Sequence, residues 1–173
     1  MMEDFRQKLY DKDAKVGVLG LGYVGIPLAQ RITESGLQVL GFDVSSERVS
    51  QLNRGISPIK HIPNPQIGEM LRQGFVATED FSLTAECDAL LICVPTPLSK
   101  YREPDLSFVT ATMEMISPHL RPGQLIALES TTWPGTTDEV LAPYLAKAGL
   151  KVGEDVFLVY SPEREDPGNP SFC

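Results

Sequence analysis

Short apolar runs alternate with amphipathic segments along this chain of 173 residues. Six runs have the length and composition of buried strands, at residues 16–19, 39–42, 75–78, 89–94, 125–128 and 156–160. Helical spacing predicts helices between them, at about 24–35, 45–52, 67–73, 105–119 and 138–148. Strands that alternate with helices in this way predict an α/β fold. We therefore expect a Rossmann-type, doubly wound parallel sheet with helices on both faces, a three-layer αβα arrangement.

The length of the chain fits one compact domain. Residues 1–14 are predicted to be a polar lead-in with one or two helical turns. Residues 15–160 carry all the predicted strands and form the expected domain, while residues 161–173 hold three prolines and no periodic pattern. We interpret this last segment as a loop or linker.

Composition excludes several classes of protein. Hydrophobic residues make up 42% and charged residues 22%, which is ordinary for a globular protein. The net charge is −8, whereas a protein that binds nucleic acid needs a basic surface. No apolar stretch is long enough to span a membrane, and the polar N-terminus does not resemble a signal peptide. We expect a cytoplasmic protein with free thiols and without nucleic acid or membrane partners.

The most specific local motif is Gly20-Leu21-Gly22-Tyr23-Val24-Gly25, which fits G-x-G-x-x-G. It follows a predicted buried strand and precedes a predicted helix, as dinucleotide-binding turns do. Gly20 would allow the tight turn, Gly22 would let the backbone approach a pyrophosphate, and Gly25 would let the helix pack closely on the sheet. A strand–helix turn without a ligand is the alternative, but the context favours dinucleotide binding.

Asp43 ends the second predicted strand, 23 residues after Gly20. An acidic residue at about this distance accepts hydrogen bonds from the adenosine ribose, and its charge favours NAD over NADP. A turn aspartate that caps the next helix is the alternative, and both interpretations can hold. Arg48, one turn into that helix, could cover the adenine, pair with Asp43 or simply face solvent.

Three loops follow later strands and should meet at one edge of the sheet: 94–97, 129–137 and 161–164. Each brings hydroxyl groups or a carboxylate to that edge, which predicts a binding face, although turn chemistry and helix capping are alternatives. No metal site is predicted, because His61 and His119 lie apart from possible ligands. Cys87 and Cys93 are expected to be buried core residues.

Five segments occur in a characteristic order: VGVLGLGYVGIPLA, FDVSSERV, ICVPTPL, ESTTWPGTT and YSPEREDPGNP. Over about residues 15–170 the chain resembles the N-terminal NAD-binding domain of the UDP-glucose/GDP-mannose dehydrogenase family. The UDP-N-acetyl-hexosamine 6-dehydrogenase branch, which includes enzymes for UDP-N-acetylglucosamine, is the most similar. This resemblance implies an NAD-dependent oxidoreductase of polysaccharide biosynthesis. Such enzymes oxidise the C6 alcohol of a UDP-sugar to the uronate with two NAD⁺, through a cysteine-bound thioester.

The resemblance also implies roles for individual residues. Thr131 and Glu163 are the expected catalytic residues, since Ser130 and Thr131 match the pair beside the nicotinamide and the reacting water. Glu163 and Arg164 are expected to bind substrate. The expected cofactor-binding residues are Gly20, Leu21, Gly22, Tyr23, Val24, Gly25, Asp43, Arg48, Val94, Pro95, Thr96, Pro97, Ser130 and Thr131.

Some features depart from the family pattern. The glucose-specific branch has a second glutamate where this chain has Pro167, and often a lysine where it has Glu129, so the acetamido-sugar branch is favoured. The family's catalytic cysteine follows in a helical central domain, before a UDP-binding domain, and Cys173 does not match it. We expect this chain to bind NAD without turnover, and the complete enzyme to be a homodimer or larger. The alternatives are a β-hydroxyacid dehydrogenase type of NAD domain and a non-catalytic NAD sensor.

Overall fold

A computed structural model describes residues 2–98, 100 and 104–162. The elements follow the chain as α1 (Met2–Asp11), β1 (Lys15–Leu19), α2 (Gly25–Glu34), β2 (Gln38–Phe42), α3 (Ser46–Asn53), α4 (Asn64–Arg72), β3 (Val76–Thr78), β4 (Ala89–Ile92), α5 (Ser107–Ile116), β5 (Leu125–Leu128), α6 (Ala142–Lys147) and β6 (Phe157–Tyr160). Short 3₁₀ helices lie at Phe81–Glu86 and Ser117–His119, and a π-helical turn at Thr137–Leu141 leads into α6.

The six strands form one sheet in the order β3-β2-β1-β4-β5-β6, and every neighbouring pair is parallel. This is the strand order of a dinucleotide-binding sheet, whose direction of winding reverses between β1 and β4. Within the described residues, no helix is long and apolar enough to cross a membrane.

Two hydrophobic clusters cover the two faces of the sheet. One joins Val18 and Val39 of the sheet to buried residues of α2, α3 and α4, among them Ile26 and Leu52. The other joins strand residues such as Ile126 to buried residues of α5 and α6. Alternate strand residues point to opposite faces, so the central strands β1, β2 and β4 contribute to both clusters. The expected three-layer, doubly wound arrangement is confirmed.

Several helices differ in extent from the sequence prediction. The lead-in forms a ten-residue helix, α1, rather than one or two turns. The helix expected from residue 67 begins at Asn64, with Pro65 in its first turn, where a missing N–H costs nothing. The helix expected around 138–148 begins as a π-helical turn. Pro143 has no N–H to donate to Glu139, which removes one α-helical hydrogen bond there. Ser45 caps α3, since its hydroxyl accepts from the N–H of Arg48.

Helix α1 is connected to the sheet through the buried carboxylate of Asp88. Lys8 Nζ lies 2.8 Å from Asp88 Oδ1. Arg121 Nη2 lies 3.1 Å from the same oxygen, and Lys15 N–H donates to Oδ2 at 3.1 Å. These contacts lie at the starts of β1 and β4, on the edge opposite the predicted binding loops, and hold the N-terminal helix in place.

Candidate functional site

A cleft of about 700 Å³ opens at the carboxyl ends of β1, β2, β4 and β5. It lies where the winding of the sheet reverses, which is where ligands bind in open α/β sheets. The structure brings almost all the predicted cofactor residues together here, and only Gly25 and Pro97 of that set do not line it. Those that do are Gly20, Leu21, Gly22, Tyr23, Val24, Asp43, Arg48, Val94, Pro95, Thr96, Ser130 and Thr131.

The glycine turn between β1 and α2 depends on residues that lack a side chain. Gly20 has φ +97°, a conformation that other residues rarely adopt. A Cβ at Gly25 would stand 1.8 Å from the carbonyl oxygen of Gly20, so only glycine allows α2 to begin this close to the strand. A Cβ at Gly22 would meet no atom within 4 Å. Gly25 therefore serves packing, whereas Gly22 leaves the cleft open.

The start of α2 offers free backbone donors to the cleft. Within the described residues, no backbone hydrogen bond uses the N–H groups of Gly22, Tyr23 or Val24. Val24, at the N-cap, provides no side-chain cap. Unpaired N–H groups at a helix N-terminus, together with the helix dipole, favour a bound anion. The turn is thus suited to the pyrophosphate of a dinucleotide.

The carboxylate of Asp43 is buried and connects the glycine turn to α3. Its Oδ2 accepts from Leu21 N–H and from Arg48 Nη1, both at 2.9 Å. Its Oδ1 accepts from Ser45 N–H at 2.9 Å. The structure therefore shows Asp43 as a turn residue, and of the alternatives for Arg48 it shows the ion pair with Asp43. A carboxylate has about four acceptor sites, so a hydrogen-bond position remains on Oδ1 for a hydroxyl of the ligand.

Two side-chain hydrogen bonds join the loops that follow β4 and β5. Ser130 Oγ donates to the carbonyl of Val94 at 2.6 Å, and Thr96 Oγ1 donates to the carbonyl of Thr131 at 2.8 Å. Ser130 is buried, so its hydroxyl organises the loops. Thr131 is exposed in the same cleft. Of the predicted Ser-Thr pair, Thr131 is the residue whose side chain is open to a ligand.

One wall of the cleft was not predicted from the sequence. Phe108, Ala111, Thr112 and Met115 of α5 line it. Their spacing is i, i+3, i+4 and i+7, which places them on one helix face. The buried residues Val109, Met113 and Ile116 form a neighbouring face of α5 that packs on the sheet. The two stripes overlap in the sequence, so the helical spacing predicts α5 but does not separate the face that lines the cleft from the face that packs on the sheet.

Some predicted residues cannot be placed, and others have structural roles. Glu163, Arg164 and Cys173 lie outside the described residues. Cys87 and Cys93 are buried, as expected, although Cys93 also lines the cleft. Burial raises the pKa of the Cys87 thiol to about 12, so it stays protonated. The described residues contain no cluster of three or more side chains suited to a metal ion.

Comparison with known proteins is consistent with this geometry. A model of the NAD-binding domain of the UDP-glucose/GDP-mannose dehydrogenase family matches residues 14–172. The UDP-N-acetyl-D-glucosamine 6-dehydrogenase of Pseudomonas aeruginosa is 37% identical over 159 residues, which is 91% of this chain and 37% of that protein. The chain thus spans little more than a third of this relative's length.

Solved structures of dehydrogenases have a fold similar to that of this chain. The UDP-N-acetyl-mannosamine dehydrogenase of Staphylococcus aureus has a TM-score of 0.82 and 34% identity, over 90% of this chain and 38% of that one. The 3-hydroxyisobutyrate dehydrogenase of Salmonella typhimurium has a TM-score of 0.56 over 84% of this chain and 40% of that one. At 19% identity, the second comparison shows the fold alone.

Proposed function

Because the chain belongs to the UDP-glucose/GDP-mannose dehydrogenase family, we propose that it is the NAD-binding part of a UDP-N-acetyl-hexosamine 6-dehydrogenase. Such an enzyme oxidises the C6 alcohol of the sugar to a uronate with two NAD⁺. The observation that carries the proposal is the set of unpaired N–H groups at Gly22–Val24 beside the carboxylate of Asp43. The names of the relatives favour an acetamido sugar, UDP-N-acetylglucosamine or UDP-N-acetylmannosamine.

The residues of the cleft fit the parts of NAD in turn. The N–H groups of Gly22, Tyr23 and Val24 would hold the pyrophosphate. The remaining acceptor position of Asp43 would take a hydroxyl of the adenosine ribose, and its negative charge would repel the 2′-phosphate of NADP. The apolar face of α5 around Phe108 and Met115 would pack against the adenine ring.

The loops after β4 and β5 would form the reacting end of the site. When bound, NAD⁺ accepts a hydride from the substrate carbon. Thr131 would then contact the nicotinamide side and the reacting water, because its exposed side chain lies on a loop held by Thr96 and Ser130. Glu163 and Arg164 would bind the sugar, and Glu163 would also transfer a proton.

We propose that the nucleophilic cysteine comes from a segment other than this chain. A nucleophilic thiol needs access and a lowered pKa, whereas the Cys87 thiol is buried with its pKa raised to about 12. Cys93 lines the cleft but is also buried, and Cys173, outside the described residues, does not match the family's cysteine. The complete enzyme would be a homodimer or larger, with its subunit contacts in domains outside this chain.

Calorimetry with NAD⁺, together with an assay of NADH formation from UDP-N-acetylglucosamine and UDP-N-acetylmannosamine, tests the proposal. We expect binding of millimolar affinity or tighter and no steady formation of NADH by this chain. Steady turnover would contradict the proposed source of the cysteine. The absence of NAD⁺ binding would contradict the proposal as a whole.

The role of Thr131 is tested in the complete enzyme. Replacing Thr131 by valine should lower kcat strongly and leave the Kd for NAD⁺ nearly unchanged, because valine keeps the shape of the side chain beside the nicotinamide and removes only the hydroxyl that would meet the reacting water. Thr131→Ser, which keeps the hydroxyl, is the matched control and should retain most of the activity. Full activity of the valine variant would contradict the catalytic role of Thr131, whereas a complete protein that binds NAD⁺ and shows no turnover of UDP-sugars would favour the alternative of a non-catalytic NAD sensor.

A further inference from the structure

The ring of Tyr23 stacks on the ring of His61 at the edge of the phosphate-binding turn. The ring centroids are 5.6 Å apart and the ring planes are inclined by 24°. These values lie in the range of offset-stacked aromatic pairs. Tyr23 is 58% exposed, so the contact does not arise from burial in the core. The pair is therefore a specific contact on the surface beside the cleft.

His61 is presented by a firmly anchored turn. Ile62 N–H donates to the carbonyl of Ile59 at 3.1 Å, which closes a four-residue turn with Lys60 and His61 at its tip. Both isoleucines are buried, and they belong to the cluster that holds Ile26 of α2. Ser57 Oγ also donates to the carbonyl of Ile59 at 3.0 Å and accepts from its N–H. The turn and α2 therefore share one packed cluster, which fixes His61 relative to the start of α2.

The position of Tyr23 gives this contact a consequence for the cleft. Tyr23 is the middle one of three cleft-lining residues whose N–H groups make no backbone hydrogen bond. The glycine on its N-terminal side adds conformational freedom, since glycine restricts the backbone least. A ring held at the surface restricts the backbone that carries it. Stacking thus opposes rotation of the donors away from a bound anion.

We propose that His61 is a positioning residue for cofactor binding, which acts through its stack with Tyr23 to hold the phosphate-binding turn in its donor conformation. The inference rests on the proposed NAD site. His61 does not line the cleft itself, so it acts on the ligand only through Tyr23. Preorganised donors bind an anion more tightly, because less conformational entropy is lost when the ligand binds.

Substitutions of His61 separate stacking from other effects. His61→Ala removes the ring, whereas His61→Phe keeps a ring that can stack and removes the nitrogen atoms. We expect the Kd for NAD⁺ to rise about 3- to 10-fold in the alanine variant, the range that a single aromatic pair supports. The phenylalanine variant should stay within about twofold of the unaltered chain. The free energy of unfolding should be nearly unchanged in both, because both rings are exposed.

Amide hydrogen exchange and NMR shifts of Gly22, Tyr23 and Val24 in the free protein give a readout that does not depend on NAD. We expect faster exchange and altered shifts in His61→Ala, and recovery in His61→Phe. Unaltered amides and an unchanged Kd in the alanine variant would overturn the positioning role. Equal losses in both variants would overturn stacking as its cause. If the unaltered chain fails to bind NAD⁺, the proposed function fails, while the amide readout still decides whether His61 orders the turn.

Discussion

The hydroxyl of Ser130 donates a hydrogen bond to the carbonyl oxygen of Val94 at 2.6 Å. This contact joins the loop after β5 to the loop after β4 across the mouth of the cleft. Ser130 itself is buried, and the contact is accompanied by the bond from Thr96 to the carbonyl of Thr131. The two loops therefore behave as one unit, and Thr131 is placed by its neighbours.

Replacing Ser130 by alanine should lower the free energy of unfolding by about 1–3 kcal/mol, because it removes the buried donor for the Val94 carbonyl. Urea denaturation measures the change, with Ser50→Ala on the exposed face of α3 as the control. In the complete enzyme the variant should also lose activity, since Thr131 loses its support. Stability equal to that of the Ser50 control would contradict the structural role of Ser130.

The glycines of the turn should respond differently to alanine. Gly25→Ala should cost about 3 kcal/mol or more, because the added Cβ would meet the backbone oxygen of Gly20 at 1.8 Å. Gly22→Ala should change stability by less than about 1 kcal/mol, because its Cβ has open space. The same variant should weaken NAD⁺ binding, since the methyl group would project into the cleft. Thermal unfolding of both variants measures the stability losses, and calorimetry with NAD⁺ measures the loss of binding in Gly22→Ala. Equal stability losses in the two variants would contradict the different roles of Gly22 and Gly25.

Asp43→Asn should raise the Kd for NAD⁺ by about 10- to 100-fold, since hydrogen bonds to a charged group contribute about 1.5–3 kcal/mol. The preference for NAD⁺ over NADP⁺ should also shrink, because the charge that repels a 2′-phosphate is gone. Calorimetry with both cofactors measures the change. Glu47→Gln is a matched control. It makes the same change of charge at an exposed residue of α3 that does not line the cleft. If the Asp43 variant kept the same preference for NAD⁺ over NADP⁺, Asp43 would not be the residue that determines cofactor specificity.

The contacts of Asp88 predict a dependence of stability on pH. Burial raises the pKa of this carboxyl, but hydrogen bonds from Lys8, Lys15 N–H and Arg121 outweigh it and leave the pKa below its ordinary value. The stabilisation should be complete above the unfolded value of about 3.9 and disappear as pH falls through the lower folded value. At neutral pH, Asp88→Asn should lower the free energy of unfolding by about 1–3 kcal/mol, because it weakens the hydrogen bonds that the charged carboxylate accepts, while the partly exposed Lys8 and Arg121 stay solvated.

Urea denaturation from pH 7 down to pH 2 tests this behaviour. The difference between the unaltered chain and Asp88→Asn should shrink towards zero at the acidic end. Glu86→Gln, which breaks only the exposed pair with Lys15, should cost less than about 1 kcal/mol throughout. A difference that stays constant over the whole range would show that the ionised form of Asp88 does not supply the stability.

The sheet and the glycine turn could be predicted from the sequence because they depend on local patterns. Each strand is a short apolar run, Gly20 has a positive φ in the turn itself, and a Cβ at Gly25 would meet the backbone of Gly20 in the same turn. The inward hydroxyl of Ser130 could not be predicted, because its acceptor lies 36 residues away. The stack of Tyr23 on His61 also joins distant segments. Likewise, the ion pair between Lys8 of α1 and Asp88 joins residues 80 positions apart, which no local pattern reveals.

The proposed NAD site depends on binding of the pyrophosphate by the unpaired N–H groups of the turn after β1. A titration of the isotope-labelled chain with NAD⁺, followed by amide NMR, measures this binding at each residue. We expect the amide signals of Gly22, Tyr23 and Val24 to move most, while those at the opposite edge of the sheet, such as Asp88 and Leu125, stay in place. Large shifts elsewhere with an unperturbed turn would contradict it.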